Sequence, residues 1–234
     1  MGLKVFHSVN CGLYFYGSTG LLVDGIFEGN GRGVSPMPEE IWNLFLEAGS
    51  GCLEGVIFTH LHEDHFSRFY LEQVQKRVPG LRVYGPGLTD GNISVQKESP
   101  GIKKFRMGDA WIWAVDTCHD GKDYGEVAHC SYFIQMDRYT LFISGDACGL
   151  DELCPSAGQE LPDKVDMAFV NIYQALSQDT HRFLRQMKVE QVYLYHLPFQ
   201  RDDSCNLWRI ASQAMRKFPG DLPPLRILKH MNWQ

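Results

Sequence analysis

The sequence contains no run of about eighteen apolar residues, so no segment of it reads as a membrane-spanning helix. It also lacks a disulfide framework. Its 7 cysteines are odd in number and irregularly spaced, which fits a reducing cytoplasm better than a stapled secreted scaffold. The start, Met1-Gly2-Leu3-Lys4-Val5-Phe6, enters a strand-like pattern, without the apolar core of a signal peptide or the Ser or Thr at position 6 of a myristoylation signal. Positive charge is scarce, with 22 Lys and Arg against 28 Asp and Glu, a net charge of −6. That balance counts against a nucleic-acid partner, because phosphate backbones are met by basic stripes. The densest basic clusters, Lys103-Lys104-Phe105-Arg106 and Arg182, Arg185 and Lys188, are short and read as solvated surface. The expected setting is cytoplasmic, with a small-molecule partner and no membrane or nucleic acid; a homo-oligomer stays open. The glycine-rich Glu28–Val34 segment lacks the Gly-Lys-Ser/Thr of a phosphate loop and the spacing of a dinucleotide fold. It reads as a loop between strand and helix.

Against these absences stands one dense segment. Val56-Ile57-Phe58-Thr59 is an apolar, β-forming run, and it stops in His60-Leu61-His62-Glu63-Asp64-His65. Alternate side chains of an extended chain point the same way, so His60 and His62 are placed to grip one ion together. Asp64 and His65, just past the strand end, reach towards a second. The rival reading is a zincin helix, since His62-Glu63 opens like His-Glu-x-x-His. The next histidine, His65, comes one residue too early for it, and the preceding residues read as strand.

The segment resembles the His-x-His-x-Asp-His signature of the metallo-β-lactamase superfamily. The resemblance implies a four-layer αββα sandwich with a metal site at one edge of two facing sheets. It also implies three more ligands downstream: a histidine, a bridging aspartate and a last histidine. Tyr139–Ser144 reads as a buried strand ending in Gly145-Asp146, and Asp146 has the two oxygens needed to hold both ions. Gln191–Tyr195 is a β-rich run followed by His196, the candidate last ligand. His181, in a segment that reads as helix, and His230, near the end of the chain, read as packing residues. The family's Gly-His-Thr-Pro-Gly turn is absent, which leaves His119 and His129 for the middle position. His119 is preferred because it follows an apolar run and opens a polar loop; His129 is the alternative. The missing turn makes the chain more similar to the ascorbate-6-phosphate lactonase-like and uncharacterised branches than to glyoxalase II or the β-lactamases. Asp24, closing Leu21-Leu22-Val23, resembles an aspartate that orients a ligand histidine in the family. Arg32 and Arg201 are candidate contacts for an anionic substrate group.

A chain of 234 residues suits one such domain over residues 1–234. Strands are expected at Leu3–Ser8, Leu13–Tyr16, Leu21–Phe27, Val56–Thr59, Leu81–Tyr84, Trp111–Asp116, Cys130–Met136, Thr140–Ser144, Met167–Val170 and Val192–Tyr195. One helix should follow Pro38, with Ile41, Leu44, Phe45 and Ala48 inward. A second begins near Ser67, a third covers about 178–187, and a last presents Leu207, Ile210, Ala211, Ala214, Met215 and Phe218 on one stripe.

The function that follows is a binuclear metal-dependent hydrolase acting on a lactone, ester or phosphoester. One ion would be held by His60, His62 and His119 and the other by Asp64, His65 and His196, with Asp146 between them. A water between two divalent ions loses its proton near neutral pH, and Asp64 is placed to orient it or pass that proton on. Zinc suits this donor set best, and manganese or iron is also accepted. Cys118 and Cys148 read as packing or minor wall residues. The competing readings are a metal-dependent nuclease or phosphodiesterase, and a mononuclear iron oxidoreductase or non-catalytic metal scaffold.

Overall fold

The apolar strands pair into two mixed sheets in a computed structural model, which describes residues 2–29, 33–48, 53–89, 93–99, 101–153 and 161–233. The first sheet contains β1 (Lys4–His7), β2 (Leu13–Tyr16), β3 (Gly20–Val23), β4 (Leu53–Ile57), β5 (Arg82–Gly85), β6 (Leu88–Thr89) and β15 (Asn232–Trp233), in the order β15-β1-β2-β3-β4-β5-β6. The second contains β7 (Gln96–Ser99), β8 (Ile102–Met107), β9 (Ala110–Thr117), β10 (His129–Met136), β11 (Tyr139–Ile143), β12 (Met167–Val170), β13 (Gln191–Leu194) and β14 (Leu225–Ile227), in the order β14-β13-β12-β11-β10-β9-β8-β7. β3, β4 and β5 run parallel, as do β11 to β14; the rest pair antiparallel. Parallel strands need crossovers, and these bring helices onto the outer faces.

Strands with both faces covered should be apolar throughout, and β10 is buried at seven of its eight positions. Between the sheets, Leu13, Phe15, Leu21 and Val23 meet Ile112, Tyr132, Ile134, Leu141 and Phe169. On the outer face of the second sheet, Phe133 and Phe142 pack on Phe183 of α3 (Gln178–Gln186) and on Ala211 and Ala214 of α4 (Leu207–Lys217). On the outer face of the first sheet, Tyr14, Leu22, Val56 and Phe58 pack on Ile41 of α1 (Glu39–Ala48) and on Leu71 and Val74 of α2 (Arg68–Arg77). Each such burial contributes roughly 2 kcal/mol. Helix, sheet, sheet and helix layers thus stack as an αββα sandwich.

The helices start where the sequence places them. Ser67 caps α2 by accepting from the Tyr70 amide, and Ser177 caps α3 by accepting from Asp179. The expected α4 stripe packs inward except at Met215, which is exposed. In the first helix Ile41 is buried, while the side chains of Leu44, Phe45 and Ala48 lie outside the described residues.

Two expectations need correction. Lys103-Lys104-Phe105-Arg106 is not a solvated surface run but the middle of β8. Phe105 is buried, Lys103 pairs with Asp116 at 2.7 Å, and the Lys104 ammonium lies 5.0 Å from the Trp113 ring centroid. Lysine stems laid over tryptophan faces let a charged strand cover an apolar sheet. The strand expected over Leu21–Phe27 ends at Val23, because Asp24 adopts a left-handed backbone (φ 48°) and turns the chain at the sheet edge.

Candidate metal centre

The candidate ligands gather where several strands of both sheets end on one edge. β4 stops at Ile57, so His60 and His62 lie beyond the strand rather than on its extended end. Their rings nevertheless converge, with His60 Nε2 2.9 Å from His62 Nδ1. The loop holds that geometry through Thr59. Its amide and hydroxyl donate to the two oxygens of the buried Asp24 carboxylate, at 2.7 and 2.8 Å. Its carbonyl accepts from the Cys130 amide of the opposite sheet at 2.8 Å, tying the two sheets together beside the histidines.

Hydrogen bonds on the outer side of the rings set the tautomers. His60 Nδ1 faces the Thr59 hydroxyl at 3.1 Å, His65 Nδ1 faces Asp24 Oδ2 at 3.0 Å, and His119 Nδ1 faces the Asp120 carbonyl at 2.6 Å. With the proton on Nδ1 in each case, the Nε2 lone pairs of His60, His65 and His119 point inward. His60 Nε2 then lies 3.3 Å from His119 Nε2, and His65 Nε2 lies 3.0 Å from His196 Nε2.

Two groups result, and Asp146 faces both. The donor atoms of His60, His62 and His119 lie within 4.8 Å of one another, as do those of His60, His65 and Asp146. Asp146 Oδ2 is 3.8 Å from His119 Nε2 and 3.5 Å from His65 Nε2, while Oδ1 is 3.5 Å from His196 Nε2. Asp64 Oδ2 closes the second group, 3.5 Å from His196 Nε2 and 3.8 Å from His65 Nε2. His196 holds its place in a left-handed backbone (φ 62°) that turns it out of the end of β13. Gly145 also has positive φ (57°), and a Cβ there would lie 2.6 Å from His129 Nε2 and 2.7 Å from Thr59 Cβ. Only glycine brings Asp146 this close to the histidines.

The chemistry of the donor set fits cations. A single proton on His60 Nε2 can bridge to one of its two neighbouring ring nitrogens, whereas a cation accepts lone pairs from all three. Burial pushes the His60 ring far below its usual range, with His65 adding to the effect, and it lowers His62 too, so both are neutral donors. Burial opposes the charge on Asp146, but His196 and His65 outweigh it and hold the carboxyl well below the usual carboxylate range. Burial likewise opposes a charged His65, while Cys11, Asp24 and Asp64 beside it raise it well above its ordinary value, so a second proton competes with an ion for its Nε2 lone pair.

The two candidates for the middle histidine are placed differently. His119 aims Nε2 into the first group. His129 is buried behind it with both nitrogens occupied: Nε2 accepts from the Asp146 amide at 2.9 Å, and Nδ1 faces the Thr117 hydroxyl at 2.7 Å. Burial depresses it to about 3. Arg201 lies off the site, its guanidinium 5.2 Å from the Phe199 ring centroid and its Nε 3.7 Å from Asp202. Arg32 lies outside the described residues.

Three contributors escaped the sequence reading. Cys11 Sγ lies within 4.8 Å of the donor atoms of His65 and His196 and donates to the Asp64 carbonyl at 2.8 Å; burial pushes its thiol far up. Asn171 donates from Nδ2 to Asp146 Oδ1 at 3.0 Å. Gln174 fixes the loop of Asp146 by donating to the Gly145 and Ala147 carbonyls. No motif flags them, because each acts across a large sequence separation.

The site opens on a cavity of about 480 Å³ that reaches Tyr124, Ile172, Tyr173 and Leu207, and on an adjoining one of about 550 Å³ that reaches Leu61 and Glu63. Asp64, His119, Asp146, Tyr124 and Val34 line both. Gly33 and Val34 bring the end of the glycine-rich segment to the rim. Among the described residues no helix is long and apolar enough to cross a membrane.

No family model matches the sequence, and no curated protein is detectably similar to it. Solved structures are. The metallo-β-lactamase fold protein YhfI from Bacillus subtilis shares 16% identity over 100% of both chains, with a TM-score of 0.61. An isothiocyanate hydrolase from Delia radicum gut bacteria shares 15% over 99% of this chain and 98% of that one, with a TM-score of 0.65. CmlA, a diiron β-hydroxylase from Streptomyces venezuelae, shares 13% over 99% of this chain but only 53% of its own, with a TM-score of 0.57. At such identities the likeness is one of architecture, and by it the chain has the metallo-β-lactamase fold.

Proposed function

We propose that the protein is a binuclear metal-dependent hydrolase of a small-molecule lactone, ester or phosphoester. The observation that carries this reading is the position of Asp146, whose two oxygens face both histidine groups at 3.5–3.8 Å. His60, His62 and His119 would hold one ion and Asp64, His65 and His196 the other. Zinc suits this set best, and manganese or iron is accepted. The isothiocyanate hydrolase and the diiron enzyme among the similar structures support, respectively, hydrolysis and two ions on this fold.

Two divalent ions bound there would supply an acidified water and polarise the electrophile's oxygen. The remaining work belongs to the chain. Asp64, at the shared floor of both cavities, orients the water and takes its proton, then returns it to the leaving group. Asp24 and Thr59 keep His65 and His60 in the tautomers that present Nε2. Asn171 and the His129 ring fix the carboxylate and the amide of Asp146, so that its two oxygens stay directed to the two groups.

Metal content by elemental mass spectrometry, run beside hydrolysis of bis-p-nitrophenyl phosphate, p-nitrophenyl esters and sugar lactones, tests the reading. About two equivalents with turnover of one class supports it. One equivalent of iron, or two equivalents without hydrolysis, overturns it.

A further inference from the structure

The two cavities share a floor and differ in their walls, and the difference bears on the substrate. Among the described residues neither is lined by a lysine or an arginine. The larger-walled lobe instead adds Asp120 to Asp64 and Asp146, and the other adds Glu63. A phosphoester carries its negative charge into the transition state, and a site for it gathers cationic or amide donors around the phosphoryl oxygens. Two bound ions would offset Asp64 and Asp146, which leaves the walls with the acids Asp120 and Glu63 and no cationic side chain among the described residues.

The apolar part of the wall is unusual for a solvent-facing surface. Tyr124 is 46% exposed and Tyr173 is 54% exposed, and both line the 480 Å³ lobe with Ile172 and Leu207. The Tyr124 ring and the Tyr173 backbone are both held in place. Tyr124 packs against the His62 and His119 rings, with centroids 5.1 and 5.0 Å away. The Tyr173 amide donates to Asn171 Oδ1 at 3.0 Å, and the same Asn171 side chain donates to Asp146. Two exposed aromatic rings, anchored to opposite ends of the ligand set and facing one lobe, form a seat for a flat apolar group.

Resting on the metal-hydrolase reading, we propose that the substrate is an uncharged carboxylic ester with an aromatic arm. The arm lies between Tyr124 and Tyr173 in one lobe, and the other side of the ester occupies the lobe beside Leu61. The scissile carbonyl lies over Asp64 and Asp146. Water adds to the carbonyl carbon and the C–O bond to the alcohol breaks. The proton lost by the water returns to the leaving oxygen, so ester and water become acid and alcohol.

Three esters test this on the metal-loaded full chain: ethyl acetate, ethyl phenylacetate and bis-p-nitrophenyl phosphate. The phenylacetate should have a KM about tenfold below that of the acetate, the size of one aromatic contact. The phosphodiester should be at least about a hundredfold poorer in kcat/KM. In Tyr173→Ala the KM ratio of the two carboxylic esters should fall to about one, and Tyr173→Phe should restore it. A readout independent of turnover is the binding of phenylacetone, a neutral ketone with the same arm, to the metal-free chain by ligand-observed NMR titration. Its Kd should rise about tenfold in Tyr173→Ala. Preference for the phosphodiester, an equal KM for both carboxylic esters, or a Kd unmoved by Tyr173→Ala overturns the proposal and leaves the hydrolase reading standing. Two bound ions with neither these three esters nor the sugar lactones cleaved removes the hydrolase reading, and the proposal with it.

Discussion

Two clusters of histidines share the fold, one open to cavities and the other closed in by aromatic rings. In one, His60, His62, His65, His119 and His196 surround Asp64 and Asp146 and face open cavities. In the other, His7 and His230 pack with ring centroids 4.9 Å apart, closed in by Phe199 and Trp208. Here His7 Nε2 donates to the Asn10 carbonyl at 2.9 Å, while His7 Nδ1 and His230 Nε2 are buried without a hydrogen-bond partner. Burial lowers His60 and His62 in the first cluster and His7 and His230 in the second, so burial does not tell them apart. The carboxylates do. Asp24 fixes a tautomer and Asp146 reaches across two groups, whereas no acid faces His7 or His230 among the described contacts. A neutral histidine pair without a carboxylate or a third donor is packing; the same residue type beside acids and open volume is chemistry.

The contrast breaks most visibly at Asp146. Asp146→Ala, or His62→Ala, should lose metal and lower kcat/KM by about a thousandfold, the size of several kcal/mol of transition-state stabilisation. His7→Gln should cost activity little. Full metal retention in Asp146→Ala, measured by elemental mass spectrometry, would sink the ligand assignment.

The next effect belongs to the sealed cluster. Burial, helped by His230, lowers His7 to about 3, and burial lowers His230 to about 4. Both values lie below the unfolded value of about 6.5, so the unfolded chain takes up protons first as pH falls. Their stabilisation is therefore complete above about pH 6.5 and drains away down towards pH 3–4. For His7 the loss between pH 6.5 and pH 4 is on the order of 3 kcal/mol. Urea melts of wild type and His7→Gln across that range should show a shallower pH slope in the variant. Parallel slopes would mean that His7 is not the group that titrates.

Smaller still is the separation of the two adjacent histidines. His119→Ala should lose one ion, while His129→Ala should keep both with affinity lowered about 10–100-fold, as for a residue that supports a ligand from behind. The reverse order would exchange their roles. Least of all, Tyr132→Phe removes the 2.6 Å bond to the Phe58 carbonyl that joins the sheets near the motif. It should lower stability by about 1–2 kcal/mol in thermal melts without changing metal content.

The sandwich was legible where a strand is apolar on both faces. β9 to β13 stand close to where the sequence places them, since only fully covered strands look like that. β8 was hidden because Lys104 and Arg106 lie over tryptophans from the next strand, a cross-strand fact that no local pattern carries. The edge strands β6, β7, β14 and β15 are two to four residues long, too short to show a periodic pattern. At the site, His60 to His65, Asp146 and His196 announce themselves because each follows a strand-like run. Cys11 and Asn171 do not. Cys11 meets Asp64 across 53 residues and Asn171 meets Asp146 across 25, and spacing on that scale is set by the fold alone.

The histidines and Asp146 follow the ends of sheet strands, but Tyr124 belongs to a single short turn, Lys122–Tyr124, between Gly121 and Gly125. That turn enters and leaves the sheet at one edge and carries no buried residue of its own. A lineage can therefore lengthen, shorten or replace it while the two sheets and their metal edge are inherited whole. Descendants of this chain would then differ in diet long before they differed in chemistry.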